Sequence, residues 1–200
     1  FFSLCFVSGF DSTASAKSLM VLIPGSGSSG PHLVLPAVQS KIRYFKKFED
    51  EITSAKMNVI TCPANEDKDS RTMAERAQDC VQVLTARKAE FCAEGAKGFN
   101  LVGHSMGGLI ARLVASAPGV SDCVNSVTTI STPHQGTPLA NLVVDNVGIV
   151  GQLAHTFQFD PGHMHYLPEL QVGAPTLNII DNPGVKYFSI SNSQKPAQFL

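Results

Sequence analysis

Residues 103–107, Gly-His-Ser-Met-Gly, constrain the fold of this chain more than any other segment. They follow an apolar run over 99–103 that is typical of a buried strand, and they precede a helical pattern over 106–117. A glycine at each end permits a tight turn, because neighbouring backbone can approach where no Cβ is present. The segment therefore predicts a strand–turn–helix unit that holds the Ser105 hydroxyl clear of a sheet edge, at a helix amino terminus.

Apolar runs of strand length alternate with helical patterns along the chain. The fully apolar run over 19–23 suits a strand that is buried on both faces. Thr72 and Glu75 have the spacing of a capping box at the start of a helix. The predicted strands are 19–23, 57–62, 99–103, 127–131 and 186–191, and the predicted helices lie within 42–52, 72–93 and 106–117. This order predicts an α/β fold, with a mostly parallel sheet and helices on both faces.

Composition narrows the class of protein. A chain of 200 residues with 44% hydrophobic and 16% charged residues can bury the core of one domain, which argues against a disordered or fibrous protein. The net charge is -1 and no basic stripe is present, so we expect no nucleic-acid partner. We also expect no transmembrane segment, because no apolar run reaches the roughly 18 residues that a membrane span needs.

The first sixteen residues differ from the rest of the chain. An apolar run over 1–10 precedes Ala14-Ser15-Ala16, which is the pattern of a hydrophobic signal region and a small-residue cleavage site. We interpret 1–16 as the remnant of a signal peptide and 17–200 as the folded domain, which predicts a secreted protein. The alternative is that the apolar run forms a first strand of the sheet.

Four cysteines lie outside that segment: Cys62, Cys80, Cys92 and Cys123. An even number in an exported protein permits two disulfides, with three possible connectivities. We prefer Cys92 with Cys123, because both fall at the sheet edge away from Ser105. Four buried thiols are the alternative. No CxxC pair or Cys/His cluster is present, so we predict no metal site in this sequence.

Residues 139–170 interrupt the alternation of strands and helices. Their apolar side chains are too many and too dispersed for one buried stripe, and a helix that is apolar nearly all round needs cover on several sides. We interpret the segment as a lid-like helical insertion that covers an active site when closed and meets lipid when open. The alternative is an ordinary buried helix.

Acyl transfer through Ser105 needs backbone donors for the oxyanion of the tetrahedral intermediate. One donor is the N–H of Met106, the residue after the nucleophile. The second should come from the glycine- and serine-rich loop over 24–30, where Ser26 is the candidate. That loop has neither the P-loop lysine nor a G-x-G-x-x-G pattern, so we set nucleotide binding aside.

The sequence resembles the secreted triacylglycerol lipases of bacteria, which are α/β-hydrolases. The resemblance is carried by residues 21–26 (Val-Leu-Ile-Pro-Gly-Ser), 101–112 (Leu-Val-Gly-His-Ser-Met-Gly-Gly-Leu-Ile-Ala-Arg), 127–137 (Val-Thr-Thr-Ile-Ser-Thr-Pro-His-Gln-Gly-Thr) and 187–189 (Tyr-Phe-Ser). It implies a serine hydrolase that cleaves carboxylic esters of lipids through an acyl-enzyme on Ser105. It also implies an α/β-hydrolase fold, with Met106 and Ser26 in the oxyanion hole.

The resemblance also indicates where this chain departs from the family. Pro24 stands where these lipases usually have histidine. His134 matches a residue near the active site that is not the catalytic base, and we interpret it as a hydrogen-bonded structural histidine. The family order is serine, acid, histidine, with the acid after the strand at 186–191. No acidic residue follows Asp181, and no histidine follows His165.

We therefore expect the catalytic acid and histidine to lie past Leu200, so that this segment alone lacks them. The structural calcium that the resemblance implies would lie there too, and this segment itself needs no cofactor. Within the chain, Asp160 with His163 or His165 satisfies the same order, but from a single local turn.

Three hypotheses about function remain open at this point. The first is the lipase or esterase, whose partners are an acyl-ester lipid and its lipid–water interface, with a folding chaperone as a further candidate. The second is a noncatalytic binding protein that kept the serine turn. The third is another serine hydrolase, such as a phospholipase, an acyltransferase or a thioesterase.

Overall fold

The computed structural model describes residues 17–25, 45–62, 71–93, 96–145 and 165–191. In this part of the chain five strands form one sheet, and all neighbouring strands run parallel. The strands are β1 (Leu19–Ile23), β2 (Asn58–Thr61), β3 (Phe99–His104), β4 (Val124–Ile130) and β5 (Lys186–Ile190). The α-helices are α1 (Lys46–Ser54), α2 (Met73–Phe91), α3 (Met106–Ser116) and α4 (Pro138–Asp145), and two short 3₁₀ turns cover Pro168–Leu170 and Pro175–Leu177.

The strand order across the sheet is β2-β1-β3-β4-β5. β2 thus lies on one side of β1, whereas β3, β4 and β5 lie on the other side. The strand order therefore reverses after β2. In open parallel sheets, ligands bind at the carboxyl edge where the strand order reverses. In this sheet that point lies between the ends of β1 and β3.

Helices cover both faces of the sheet, as the sequence predicts. On one face, Leu19, Val21 and Leu101 are buried in a large core together with side chains of α2 and α3. On the other face, Leu22 and Val102 are buried with Ile52 of α1. The five apolar residues of β1 serve both layers, which explains why that strand has no polar side chain.

The helix and strand boundaries agree with the predicted elements in most places. The capping box of α2 is present: the Thr72 side chain accepts from the Glu75 backbone, and the Glu75 side chain accepts from the Thr72 backbone. The largest difference is in β4, which begins at Val124, before the predicted start at 127. Asn125 and Ser126 donate hydrogen bonds to the Asn100 side chain, so polar residues continue the strand there.

Two disulfides are formed, Cys62–Cys80 and Cys92–Cys123. The preferred pairing of Cys92 with Cys123 is therefore confirmed, and the four cysteines are not free thiols. Cys123 immediately precedes β4, and its carbonyl accepts a hydrogen bond from Phe99 at the start of β3. This disulfide lies at the amino-terminal edge of the sheet, opposite the edge where the strands end.

The predicted insertion over 139–170 is described only at its two ends. In α4, Ala140 and Val143 are buried, whereas Leu139 and Leu142 are exposed. At the other end, Tyr166 is buried and the Glu169 carboxylate accepts a hydrogen bond from the Met73 backbone at the start of α2. Both ends thus pack against the domain, and the lid-like role stays a prediction. The predicted signal segment 1–16 lies outside the described residues.

Candidate active site

Ser105 occupies the turn between β3 and α3 in a conformation that few L-residues adopt. Its φ is 55° and its ψ is -131°. Such a conformation costs about 1–3 kcal/mol and persists only where the surrounding structure enforces it. The turn is held by a hydrogen bond of 2.8 Å from the Ser105 N–H to the Ile130 carbonyl, and by one of 3.0 Å from the Gly108 N–H to the Ser105 carbonyl. Ser105 remains partly exposed.

The two glycines of the motif are required by close backbone approaches. A Cβ on Gly103 would overlap the Gly107 carbonyl and the Gly108 Cα. A Cβ on Gly107 would overlap the Ile23 carbonyl and the backbone of Pro24. The sequence argument for a tight turn therefore agrees with the geometry: the turn closes because positions 103 and 107 have no side chain.

The contact of Gly107 also shows where the loop after β1 begins. Ile23 ends β1, and the carbonyls of Ile23 and Pro24 lie against the first turn of α3. The carboxyl end of β1 and the Ser105 turn therefore meet at the point where the strand order reverses. Ser26, the candidate oxyanion donor in this loop, lies outside the described residues.

Met106 is the first residue of α3, and its side chain is fully buried. The first N–H groups of a helix have no intrahelical acceptor, and they carry the positive end of the helix dipole. The Met106 N–H is therefore among the donors at the start of α3, next in sequence to Ser105. Its role in binding the oxyanion stays a prediction.

His134 lies at the centre of a second polar group, on the α3 side of the sheet. Its Nδ1 is 3.4 Å from Arg112 Nη1, and its Nε2 is 3.1 Å from Thr129 Oγ1. Arg112 forms an ion pair with Asp181, with Nε and Oδ1 2.7 Å apart, and it donates to the Ile179 carbonyl at 2.9 Å. The interpretation of His134 as a hydrogen-bonded histidine is consistent with this arrangement.

A crevice of about 320 Å³ opens beside this group. It is lined by Arg112, Thr129, His134, Asp181, Tyr187, Phe188 and Ser189. Burial lowers the pKa of His134, and the Arg112 guanidinium lowers it further against the opposing effect of Asp181. Burial and the Arg112 charge thus favour the neutral imidazole.

Sequence reasoning missed the partners of His134. Arg112 and Thr129 lie within the segments that carry the family resemblance, but Asp181 lies in none of them. Spacing along the chain cannot indicate that these residues meet, because α3, β4 and the loop before β5 come together only through the sheet. Thr129 is buried, but β4 also contains the polar Asn125, Ser126 and Thr128, so its polarity alone does not single it out in the sequence.

Comparison with known proteins assigns the family. The family model described as "PGAP1-like alpha/beta domain" matches residues 17–146, which is more than half of the chain. The chain belongs to this family.

Among the curated relatives of this PGAP1-like domain is a triacylglycerol lipase of Pseudarthrobacter phenanthrenivorans. It is 47% identical over 64 residues, which are 32% of this chain and 19% of the relative. A GPI inositol-deacylase of Kluyveromyces lactis is 30% identical over 135 residues, which are 60% of this chain and 14% of the relative. The aligned residues thus cover less than a fifth of either relative's length.

Solved structures confirm the fold of the PGAP1-like domain. The mature Bacillus licheniformis lipase BlEst2 superposes with a TM-score of 0.60 over 88% of this chain and 65% of that chain, at 20% sequence identity. A likeness at this identity shows the fold alone. The prediction of an α/β-hydrolase fold is confirmed, and the relationship to lipases holds at the level of the family.

The alternative triad within the PGAP1-like domain is only partly described. His165 lies exposed in a turn beside the buried Tyr166. Asp160 and His163 fall outside the described residues, so this alternative stays a prediction.

Across residues 17–25, 45–62, 71–93, 96–145 and 165–191, no group of three or more His, Cys, Asp or Glu side chains is placed to hold a metal ion. The calcium ion that the resemblance implies is expected outside these ranges, so its site stays a prediction, and the mechanism below does not use it. In the same ranges, no helix combines the length and the apolar character of a membrane span.

Proposed function

We propose that this PGAP1-like domain is part of a serine hydrolase that cleaves carboxylic esters of lipids through an acyl-enzyme on Ser105. The backbone conformation of Ser105 is the observation that carries the proposal. A purely structural Gly-Ser turn has no need of a strained serine, whereas a nucleophile at a sheet edge must project its hydroxyl out of the turn.

The proposed reaction has two steps. A histidine takes the proton of the Ser105 hydroxyl while Oγ attacks the acyl carbonyl carbon. The tetrahedral intermediate collapses, the bond from the acyl carbon to the alcohol oxygen breaks, and the alcohol leaves with the proton from the histidine. Water then attacks the acyl-enzyme with the same histidine as base, and the fatty acid is released as Oγ regains its proton.

The oxyanion of the intermediate is proposed to be bound by the N–H groups of Met106 and Ser26. The position of Met106 at the start of α3 supports the first donor. The contact of Pro24 with Gly107 supports the second, because it brings the loop that contains Ser26 to the same edge. Each such donor typically contributes about 10²–10³ in kcat.

The catalytic acid and the histidine are proposed to come from the longer protein, after β5. The resemblance to lipases supports a position after β5, and residues 192–200 contain no Asp, Glu or His. The parallel sheet supports this arrangement, since the end of β5 lies on the same edge as Ser105. The Ser131 N–H donates to the Ile190 carbonyl at 2.8 Å, which ties the ends of β4 and β5 together.

Two substrate classes compete within this proposal. The lipase relative supports an acylglycerol ester. The GPI inositol-deacylase aligns over 60% of the chain, against 32% for the lipase, which supports an acyl ester on the inositol of a glycolipid as the second candidate. We also propose that the domain is secreted, because two disulfides are typical of proteins that fold in an oxidising compartment.

Ester hydrolysis by the full-length protein tests the proposal. Ser105→Ala should reduce kcat on a short-chain chromogenic ester by at least about 10³-fold. Ser54→Ala is the matched control, because its hydroxyl is exposed and donates only to the Asp50 carbonyl within α1. Equal turnover by Ser105→Ala and wild type would contradict the proposal and indicate another active centre. No turnover by either protein would favour a noncatalytic binding protein.

The substrate classes are separated by rates on two purified lipids. Wild-type protein is assayed on an emulsified triacylglycerol and on an inositol-acylated glycolipid, with Ser105→Ala as the blank for each. A higher kcat/KM on the glycolipid would select the second candidate, and a higher value on the triacylglycerol the first.

A further inference from the structure

We propose that His134 is a positioning residue for the proposed hydrolysis, linking the helix that follows Ser105 to strand β5 as a neutral imidazole protonated at Nε2. The inference rests on the proposed function of Ser105. It adds a role for a residue that does not touch the reacting atoms.

The direction of the hydrogen bonds fixes the tautomer. Thr129 Oγ1 donates its one proton to the Phe188 carbonyl, at 3.3 Å. It can then only accept from His134 Nε2, 3.1 Å away, so Nε2 carries a proton. Arg112 has only donors, so His134 Nδ1, 3.4 Å from Nη1, is the acceptor and carries none. The chain of hydrogen bonds runs from Arg112 through His134 and Thr129 to the Phe188 carbonyl.

This chain of hydrogen bonds joins α3, which follows the proposed nucleophile, to β5, after which the catalytic acid is proposed to lie. Arg112 lies on α3, whose amino terminus begins directly after Ser105. Phe188 lies on β5, the strand after which the catalytic acid is proposed to follow. Through Arg112 and Thr129, His134 therefore connects α3 with β5.

The loop that holds His134 also supports the serine turn directly. The loop follows β4, whose last residue, Ile130, accepts the hydrogen bond from the Ser105 N–H. Two residues further on, Thr132 fills the space beside Gly108, where a Cβ would overlap its side chain. A displacement of His134 is therefore transmitted to the Ser105 turn through Thr132 and the end of β4.

Protonation of His134 would break this arrangement. The charged groups that face the imidazole are Arg112 from α3 and Asp181 from the loop before β5, and Tyr187 of β5 lines the same crevice. A proton on Nδ1 would replace an acceptor with a donor that points at the Arg112 guanidinium. Burial and Arg112 lower the pKa of His134, which agrees with a site built for the neutral ring.

The tautomer is tested by NMR on the full-length protein with ¹⁵N-labelled histidine. The His134→Gln variant identifies the His134 signals by their disappearance. We expect the neutral Nε2–H pattern at neutral pH, with conversion to imidazolium only below the ordinary pKa of 6.5. The Nδ1–H pattern, or an imidazolium at neutral pH, would overturn the inference.

The positioning role is tested by kinetics on a short-chain ester. His134→Phe keeps a planar ring but cannot bind Arg112 or Thr129, and it should lower kcat about tenfold or more with little change in KM, since small misplacements of a reacting group are costly. His134→Gln keeps a neutral donor and acceptor and should recover most of that loss. Circular dichroism and urea unfolding show whether each variant is folded.

Three outcomes separate this inference from the proposed function. If Ser105→Ala abolishes turnover while His134→Phe is folded and keeps the wild-type kcat, the positioning role is wrong and the nucleophile stands. A loss that appears only in KM would equally contradict positioning. If Ser105→Ala retains turnover, the proposed function itself fails.

Discussion

The backbone conformation of Ser105 depends both on the glycines next to it in sequence and on contacts with neighbouring strands. Its positive φ of 55° is enforced by hydrogen bonds on either side of the turn, and by glycines that let α3 approach the end of β1. The strain is local, but the groups that hold it come from three strands. Ser131, at the end of β4, also has a positive φ of 49°, so two neighbouring strand ends turn sharply at this edge.

Substitution of Gly107 tests whether the close approach matters. In Gly107→Ala the added Cβ would overlap the Ile23 and Pro24 carbonyls. Relief of that overlap moves the loop after β1 away from Ser105, so we expect a loss of about 1–3 kcal/mol in the free energy of unfolding. Because a misplacement of about 1 Å can cost 10²-fold in rate, we also expect kcat to fall by about that factor.

Urea unfolding and ester kinetics on the full-length protein measure both effects. Gly184→Ala is the matched control, because its Cβ would meet the flexible end of Lys97 at 3.1 Å rather than backbone. Unchanged stability and unchanged kcat in Gly107→Ala would show that the turn does not depend on this contact.

Among single residues, the motif around Ser105 could be predicted, but its surroundings could not. Gly103, Ser105 and Gly107 are close in sequence, so their geometry follows from a strand, a turn and a helix in that order. The group around His134 depends on the register between β4 and β5 and on the rotation of α3. Neither the strand register nor the rotation of the helix can be predicted from the spacing of residues along the sequence.

At the scale of elements, strands with an unbroken apolar pattern were predicted best. β1 is buried on both faces, and its five apolar residues define its bounds. The start of β4 was placed too late because Asn125 and Ser126 are polar. Their hydrogen bonds to Asn100 of the neighbouring strand satisfy them within the sheet, and only the pairing of β3 with β4 shows this.

The contact between Glu169 and the start of α2 gives a prediction about pH. Burial raises the pKa of the Glu169 carboxyl above its ordinary value of 4.5, against the lowering effect of the Met73 N–H. Its contribution to stability is therefore fully present below pH 4.5 and is lost as the pH rises through the raised pKa.

Glu169→Gln should remove this dependence. The amide oxygen can still accept from the Met73 N–H, but the side chain no longer ionises. Relative to wild type, the free energy of unfolding of the variant should rise with pH above 4.5 and then become constant. Urea unfolding at a series of pH values measures it, and a difference that is the same at every pH would contradict the explanation.

At the scale of the whole molecule, the groups proposed for catalysis and a stabilising disulfide lie at opposite edges of the parallel sheet. The strand ends that carry Ser105, the loop after β1 and the proposed acid lie at one edge, whereas the Cys92–Cys123 disulfide closes the other edge. The sequence predicted this separation because parallel strands place all their carboxyl ends together.

Removal of that disulfide should therefore affect stability without disabling Ser105. The two cysteines are 31 residues apart, and a cross-link of this kind typically contributes about 2–4 kcal/mol. Cys92→Ala with Cys123→Ala should lower the free energy of unfolding by that amount in urea titrations. The folded double variant should keep the wild-type rate of reaction with a serine-directed phosphonate, and a large drop in that rate would show that the two edges are coupled.

The central claim is that Ser105 is the nucleophile of an ester hydrolase. It is tested most directly by covalent labelling of the full-length protein with an alkyl phosphonate, followed by intact-mass and peptide mass spectrometry. We predict one phosphonyl group per chain, attached to Ser105, and no label on Ser105→Ala. Ester hydrolysis should be lost at the same rate as the label is incorporated. An active protein that remains unlabelled, or one whose label is found on another residue, would contradict the claim.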